Sequence, residues 1–181
     1  MRGKSLAIYN FGMFRQRADH PSIQGFHDRN DRNFAAAEQS GGFVARSGYA
    51  DEPGPPSWGR QVYPRFHVDH GDGWAPSTLS LWRDLGSLMA FSYAGFHGET
   101  LRHARDWFVE PQWPPYVLWW VEPDRMPLWA EGVARLEHLH DHGASAFAFD
   151  FKHPYDEHGH PTAIDRAALR QRKTDDRTRV D

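Results

Sequence analysis

The sequence predicts an α+β fold in which a four-stranded antiparallel sheet carries two helices on one face. Four segments have the pattern of β-strands, and two longer segments between them have helical spacing. They follow one another as strand, helix, strand, strand, helix, strand, which is the βαββαβ order of ferredoxin-like domains. The chain of 181 residues is long enough to bury a core of its own.

The first half of the pattern consists of two strands and the helix between them. Residues 6–12 alternate as a strand, and a helix opens at Pro21, where the missing N–H of proline costs nothing. Residues 43–49 form the second strand. Residues 50–76 are rich in proline and glycine, so we expect an irregular insertion with at most a short edge strand at 62–66.

The second half begins with a strand over residues 77–83. Residues 85–108 have helical spacing that two glycines interrupt, so we expect a helix with a bend or break near residues 95–98. Residues 116–122, Tyr-Val-Leu-Trp-Trp-Val-Glu, form the strongest predicted strand, because they are apolar on both faces.

An extra C-terminal helix and an arm follow the βαββαβ unit. Residues 127–143 begin with proline and end with glycine, as helices commonly do, and residues 147–151 alternate phenylalanine with other residues. We therefore place one domain at residues 5–152, with the insertion at 50–76. Residues 153–181 are polar and carry both charge signs, so we expect a tail that is partly disordered or lies on the surface.

Composition excludes several classes of function. The chain has no cysteine, which rules out disulfides, thiolate nucleophiles and iron–sulfur clusters and fits a cytoplasmic location. The net charge of −3 gives no reason to expect nucleic acid as a partner, and no apolar window approaches the length of a membrane span. Neither a Gly-x-Ser-x-Gly nucleophile motif nor a glycine-rich phosphate loop occurs.

The histidines do not predict a metal site. His138 and His142 share one helix face while His140 points away, and two exposed histidines bind a metal weakly without a third ligand. His67 and His70 lie in the irregular insertion, and the histidines of the tail are expected to be solvated. We therefore expect no metal.

Polar and aromatic positions on two strands indicate a pocket over one face of the sheet. Asn10 interrupts an apolar strand face, and a buried amide needs hydrogen-bond partners, either a ligand or the turn at Gly12. Trp82 and Ser80 share one face of the third strand. A large flat side chain beside a small polar one suits a planar ligand, and it equally suits plain packing between layers.

His97 is the candidate base. It is in helical phase with Leu101 and Phe108 and therefore points inward, whereas His103 falls on the opposite side. An inward histidine beside two glycines can act as a general base near neutral pH, or it can be a core histidine bonded to backbone.

Several short stretches, spread over about residues 5–152, form one recognisable set. They are Leu6-Ala7-Ile8-Tyr9-Asn10-Phe11-Gly12, Gly42-Phe43-Val44, Leu79-Ser80-Leu81-Trp82, Ala90-Phe91, His97 with Trp107-Phe108, Pro115-Tyr116-Val117-Leu118-Trp119-Trp120-Val121 and Arg135-Leu136-Glu137-His138-Leu139. This set resembles the dimeric α/β barrel superfamily, which includes the antibiotic-biosynthesis monooxygenases. Within that superfamily it resembles more closely an uncharacterised bacterial domain family.

The resemblance implies a barrel built from the sheets of two subunits, with a pocket between each sheet and its helices. The superfamily includes cofactor-free monooxygenases that act on polycyclic phenols, and haem-degrading monooxygenases. The haem-degrading branch uses an Asn on the first strand, a Trp on the third and a His on the second helix as iron ligand. Asn10, Trp82 and His97 lie on those elements here.

Residues and resemblance together favour a monooxygenase-like oxidative tailoring enzyme that acts on a flat, largely apolar small molecule. The enzyme would be cofactor-free, with His97 as base and Asn10 holding the anion, or haem-bound, with His97 as axial ligand. The alternatives are a non-catalytic small-molecule-binding or stress-response dimer, and an isomerase or cyclase that uses the same pocket. The expected substrate-binding wall is Ser80, Trp82, Phe91, Phe96 and Trp119.

The strand at 116–122 also predicts a homodimer. Two helices cover only one face of a βαββαβ sheet, so Val117, Trp119 and Val121, or the opposite residues, would form an exposed apolar patch. The helix at 127–143 would cover part of it. A second copy of the sheet is the expected lid, because a two-fold contact pairs the patch with itself.

Overall fold

The structure, a computed structural model, describes residues 3–93, 98 and 102–164. Its elements are β1 (Ser5–Phe11), a 3-10 turn (Pro21–Ile23), α1 (Gln24–Gln39), β2 (Phe43–Arg46), β3 (Ser77–Trp82), α2 (Leu85–Tyr93), α3 (Ala104–Trp107), β4 (Tyr116–Val121) and α4 (Trp129–His142). The strands form one antiparallel sheet in the order β2-β3-β1-β4. The predicted α+β class is confirmed, and the strand order is compatible with a ferredoxin-like fold.

The sheet has two apolar faces, because side chains alternate along each strand. Leu6, Ile8 and Trp82 lie on the face that packs against Leu88 of α2 and Ala37 of α1, which we call the α1/α2 face. The opposite face, which we call the α4 face, packs against α4. Its buried residues are Ala7, Tyr9, Phe11, Leu79, Leu81, Val117, Trp119 and Val121.

The α4 face is covered by other parts of the same chain. This corrects the expectation that an exposed apolar face of the sheet would require a second copy as its cover. Trp119 is 0% exposed, and Trp129 and Leu136 of α4 lie over the same face with no exposure of their own. Trp58 from the insertion completes this cover. The expected exposed patch of Val117, Trp119 and Val121 is therefore absent, so the homodimer prediction loses its original support.

A glycine allows α4 to approach the sheet closely. A Cβ atom at Gly132 would lie 2.8 Å from the Cβ and Cγ atoms of Tyr9. A side chain at position 132 would hold the helix further from the sheet, and the cover over Tyr9 would open. The Tyr9 ring instead meets the Trp129 ring edge to face, with centroids 6.2 Å apart.

The insertion is irregular, and the edge strand expected at residues 62–66 is wrong. Proline at position 64 has no N–H to donate to a sheet, and the segment is held by side chains instead. The Arg65 backbone N–H donates to Glu137 of α4 at 2.7 Å, and its guanidinium pairs with Asp141. The Phe66 ring stacks on Trp113 at 5.5 Å.

The region of the expected helix break lies largely outside the described residues. Helix α2 is described over Leu85–Tyr93, and a short helix α3 begins at Ala104. Between them only residues 98, 102 and 103 are described. The prediction of one helical stretch over 85–108 with an interruption is therefore tested only at its two ends.

The C-terminal arm folds back on its own sheet. Phe149 exchanges two backbone hydrogen bonds with Leu118 of β4, at 2.8 and 3.0 Å. Residues 153–164 continue along this edge, where the Trp120 indole N–H donates to the carbonyl of Tyr155 at 2.8 Å. In the described part of the chain, none of the helices is both long enough and apolar enough to cross a membrane.

Candidate functional site

A cavity of about 1100 Å³ lies over the α1/α2 face of the sheet. Strands β1 and β3 form its floor with Ile8, Asn10, Thr78, Ser80 and Trp82. Aromatic rings from the helices, the loops and strands β2 and β4 form most of its walls. These are Phe26, Phe34, Phe43, Trp74, Phe91, Trp107, Phe108, Trp113 and Tyr116.

Trp82 forms a flat, fixed part of the cavity floor. Its indole N–H donates to the Ser80 hydroxyl at 3.0 Å, which orients the ring. Phe91 of α2 lies nearly parallel to it, with centroids 5.0 Å apart, and Phe43 meets it edge on at 5.4 Å. The structure thus brings together Ser80, Trp82 and Phe91, three of the residues expected to bind a substrate.

Asn10 provides an unused hydrogen-bond acceptor in the cavity. It stands opposite Thr78 of β3 and Tyr116 of β4, so it lies in the middle of three strands. Its Oδ1 atom is buried and has no hydrogen-bond partner among the described residues. An unpaired buried acceptor costs about 1–3 kcal/mol. The turn at Gly12, which was the alternative partner for this amide, does not pair with Oδ1.

Tyr116 adds a neutral phenol beside Asn10. Burial raises the pKa of the Tyr116 hydroxyl well above its ordinary value. The hydroxyl oxygen accepts a long hydrogen bond of 3.4 Å from the backbone N–H of Phe151, and the two rings lie 5.4 Å apart. At neutral pH this group therefore stays protonated and can both donate and accept.

One end of the cavity is a cluster of aromatic rings around His27. The imidazole lies 5.6 Å from the Phe26 ring and 6.1 Å from the Trp74 ring, measured between centroids. Phe14 lies behind it at 6.1 Å, and Phe108 closes the cluster 5.6 Å from Phe26. Three aromatic rings thus contact the imidazole, which is a half-buried side chain on α1.

The tautomer of neutral His27 is fixed by one hydrogen bond. Its Nε2 atom lies 2.8 Å from the carbonyl oxygen of Ala18. A carbonyl only accepts, so Nε2 carries the hydrogen and Nδ1 holds a lone pair. The Ala18 N–H donates to Asp72 at 2.8 Å, which holds Ala18 in place beside the imidazole. His27 is therefore an oriented base in the cavity wall.

Sequence reasoning did not single out His27. It lies four residues after Ile23 and seven before Phe34, which is the helical phase of the buried stripe. That phase was the signal that could have found it.

Among the other expected site residues, Trp119 is described and is not brought to the cavity. Trp119 lies on the α4 face, where its ring packs under Arg135 with the guanidinium carbon 5.2 Å from the ring centroid. It is out of phase with Asn10, because Tyr116 is the β4 residue opposite Asn10. His97 and Phe96 lie outside the described residues.

The predicted axial ligand of haem is not among the described residues. Within the part of the cavity lining that is described, His27 is the one imidazole, and its Nε2 atom is held by Ala18. The predicted ligand, His97, lies outside the described residues, and we therefore propose no haem chemistry.

The histidines at the end of α4 lie as the helix phase predicted. The rings of His138 and His142 are 4.6 Å apart, while His140 contacts Phe66 and the guanidinium of Arg65. Over residues 3–93, 98 and 102–164, groups of three or more side chains placed to hold a metal are absent.

Comparison with known proteins places the chain in a family and gives no activity. Neither the curated proteins nor the solved structures contain a match to it. A family described as a domain of unknown function matches residues 5–165, which is most of the chain and includes every element of the sheet. The protein therefore belongs to the DUF3291 family.

Proposed function

We propose that the protein binds a flat, largely apolar small molecule between the sheet and helices α1 and α2, and holds a hydroxyl or N–H group of that molecule at Asn10. The buried Oδ1 atom of Asn10, which lacks a partner among the described residues, carries the proposal. A donor on a bound molecule would recover the free energy that this acceptor costs. The aromatic walls supply apolar contact over both faces of a planar ligand.

Two probes of nearly the same shape test this proposal. 2-Naphthol donates a hydrogen bond and 2-methylnaphthalene does not. Quenching of tryptophan fluorescence reports binding of either, because Trp74, Trp82 and Trp107 line the cavity. We expect the parent protein to prefer 2-naphthol by about tenfold, the value of one well-made hydrogen bond.

The variant Asn10→Leu removes the acceptor and should bind the two probes within about twofold of each other. Gln112→Leu, which changes an exposed amide outside the cavity, should keep the preference of the parent. If the parent binds both probes equally, Asn10 is not the ligand contact. If neither probe binds up to its solubility limit, the cavity is not a site for flat apolar molecules.

We further propose a cofactor-free, monooxygenase-like reaction at this site, in which His27 serves as a base. The Nδ1 atom of His27 takes a proton from a methylene of the bound molecule, and the carbanion so formed reduces dioxygen. One oxygen atom replaces the two hydrogens as a carbonyl, and the other leaves as water. The substrate supplies all four electrons. The fixed Nε2–H of His27 favours this role, because it leaves Nδ1 to receive the proton.

Oxygen uptake with a hydroxylated anthrone tests the reaction. We expect consumption of oxygen to match formation of the quinone, and His27→Gln to lower kcat by about a hundredfold. His103→Gln, an exposed histidine paired with Asp106, is the matched control. His97→Gln, made in parallel, decides which of the two imidazoles is the base.

Three outcomes separate the candidate functions. Turnover that needs oxygen supports the monooxygenase proposal. Conversion of the probe without oxygen would make the protein an isomerase or cyclase. Binding without turnover, by the parent and with several flat phenols, would make it a non-catalytic binding protein.

Assembly is a separate proposal, because the dimeric barrel implied by the resemblance requires two sheets to face each other. The face available for this contact is the one that α4 and Trp58 cover. We therefore propose that any homodimer forms through another surface. Light scattering gives the mass, and Trp119→Glu should then unfold the chain rather than release a folded monomer, since Trp119 is 0% exposed.

A further inference from the structure

We propose that the ligand of this cavity is an acid, and that Arg15 at the cavity wall binds its carboxylate. This inference rests on the proposed binding function and adds the class of molecule that the site selects. Arg15 lies in the loop after β1 and is exposed, yet it also lines the cavity. It thus stands where an apolar ligand would carry a charged end towards solvent.

Backbone and side-chain contacts hold Arg15 in place. Its N–H donates to the carbonyl of Trp107 at 2.8 Å, and the Val109 N–H donates back to Met13 at 3.0 Å. The Nε atom of Arg15 donates to the carbonyl of Phe108 at 2.9 Å. Because the guanidinium is planar, this bond fixes the direction of both terminal nitrogens. Two parallel N–H groups in one plane match the two oxygens of a carboxylate.

The remaining charges along the cavity do not neutralise Arg15. Within the described residues it forms no ion pair, and Arg105 of α3, which lines the cavity two residues before Trp107, forms none either. Glu52 and Glu110 line the cavity as well, and neither makes an ion pair with Arg15. Arg46 lies on the cavity too, but its guanidinium is paired with Glu38 at 2.8 Å.

These features together select an amphipathic acid. The aromatic walls suit a flat apolar body, Asn10 offers an acceptor inside, and Arg15 offers an oriented cation at the rim. A neutral molecule would leave the guanidinium without an ion pair, while a carboxylate would gain two charge-assisted hydrogen bonds. Arg15 is exposed, so the gain is modest and depends on salt.

6-Hydroxy-2-naphthoic acid and its methyl ester test the inference. They share the body and the hydroxyl, and differ in charge. We expect the parent protein to bind the acid about fivefold more tightly than the ester at low salt, and to lose most of this preference at about 0.5 M salt. Arg15→Gln should abolish the preference, and Arg15→Lys should keep part of it, because lysine retains the charge without the planar fork.

Arg60→Gln is the control, since Arg60 is an exposed arginine of the insertion that does not line the cavity. Its preference for the acid should equal that of the parent. Equal binding of acid and ester by the parent, or an unchanged preference in Arg15→Gln, would overturn the role of Arg15 and leave the proposed binding function standing. Failure of both compounds to bind would overturn that function and this inference with it.

Discussion

Replacing Asn10 with leucine should make the ligand-free protein more stable. Leucine has the same branched shape, with methyl groups in place of the amide oxygen and nitrogen, so it fits the site with little change in packing. The buried Oδ1 atom of Asn10 has no partner among the described residues, and its removal therefore breaks no hydrogen bond at that atom. Stabilisation by loss of a polar group is expected where that group serves a ligand.

The magnitude follows from the cost of an unpaired acceptor. Leaving a buried oxygen without a donor costs about 1–3 kcal/mol, and Asn10 is only half buried as a residue, so the lower value applies. We expect a gain of about 1 kcal/mol in the free energy of unfolding, or about 2–4 °C in Tm for a domain of this size.

A second variant on the same sheet face has the opposite sign. Ser80→Ala removes the oxygen that accepts from the Trp82 indole N–H at 3.0 Å, so it leaves a buried donor unpaired. It should lower the free energy of unfolding by about 1 kcal/mol. Urea unfolding followed by circular dichroism measures both variants. A loss of stability in Asn10→Leu as large as that in Ser80→Ala would show that the Asn10 amide is a structural group, and would refute the reasoning.

Two further predictions concern the α4 face and the tyrosines. Gly132→Ala should lower the free energy of unfolding by about 1–2 kcal/mol, because the new Cβ meets Tyr9 at 2.8 Å and this strain exceeds the gain in helix propensity. Unchanged stability in urea unfolding would mean that α4 does not approach the sheet so closely. Burial raises the pKa of the hydroxyls of Tyr9, Tyr49 and Tyr116 in the folded protein, so they keep their protons when the unfolded chain loses its own above pH about 10. The free energy of unfolding is therefore unaffected by these groups below that pH, and it falls as pH rises above it, by up to about 1.4 kcal/mol per pH unit for each tyrosine. A tyrosinate absorbance that reaches its full value before the protein unfolds would contradict this.

The fold could be predicted because strand periodicity is a local property. Alternation along β1 and β3 placed Asn10 with Ile8, and Trp82 with Ser80, and both pairs lie on the α1/α2 face. The apolar run of β4 predicted a strand with two apolar faces, and Trp119 and Leu118, one on each face, are both 0% exposed. These features need only the backbone period of two and the burial of apolar residues.

Which residues make up the site could not be predicted to the same extent, because this depends on how strands and helices pack against one another. Which residues of β4 share a face with Asn10 is decided by the register between strands, and that register puts Tyr116 opposite Asn10 and sends Trp119 to the other side. The cover of the α4 face likewise depends on Gly132, whose importance appears only when Tyr9 is known to lie beneath it. Neither fact is visible in a single segment of sequence.

The difference between the two sheet faces is the strongest argument for where the function lies. Both faces carry large aromatic residues, so aromatic content alone does not distinguish them. On the α4 face most of the inward strand residues are apolar, and the helix closes over them. On the α1/α2 face Asn10, Thr78 and Ser80 interrupt the apolar surface, and the helices stand away from the sheet to leave a cavity. The Ser80 hydroxyl already accepts from the Trp82 indole, whereas the Oδ1 atom of Asn10 has no partner among the described residues. The cost of that buried acceptor is offset when a bound molecule pairs with it. The proposed ligand, with an apolar body and a donor group, satisfies both the aromatic walls and the polar floor of this one face.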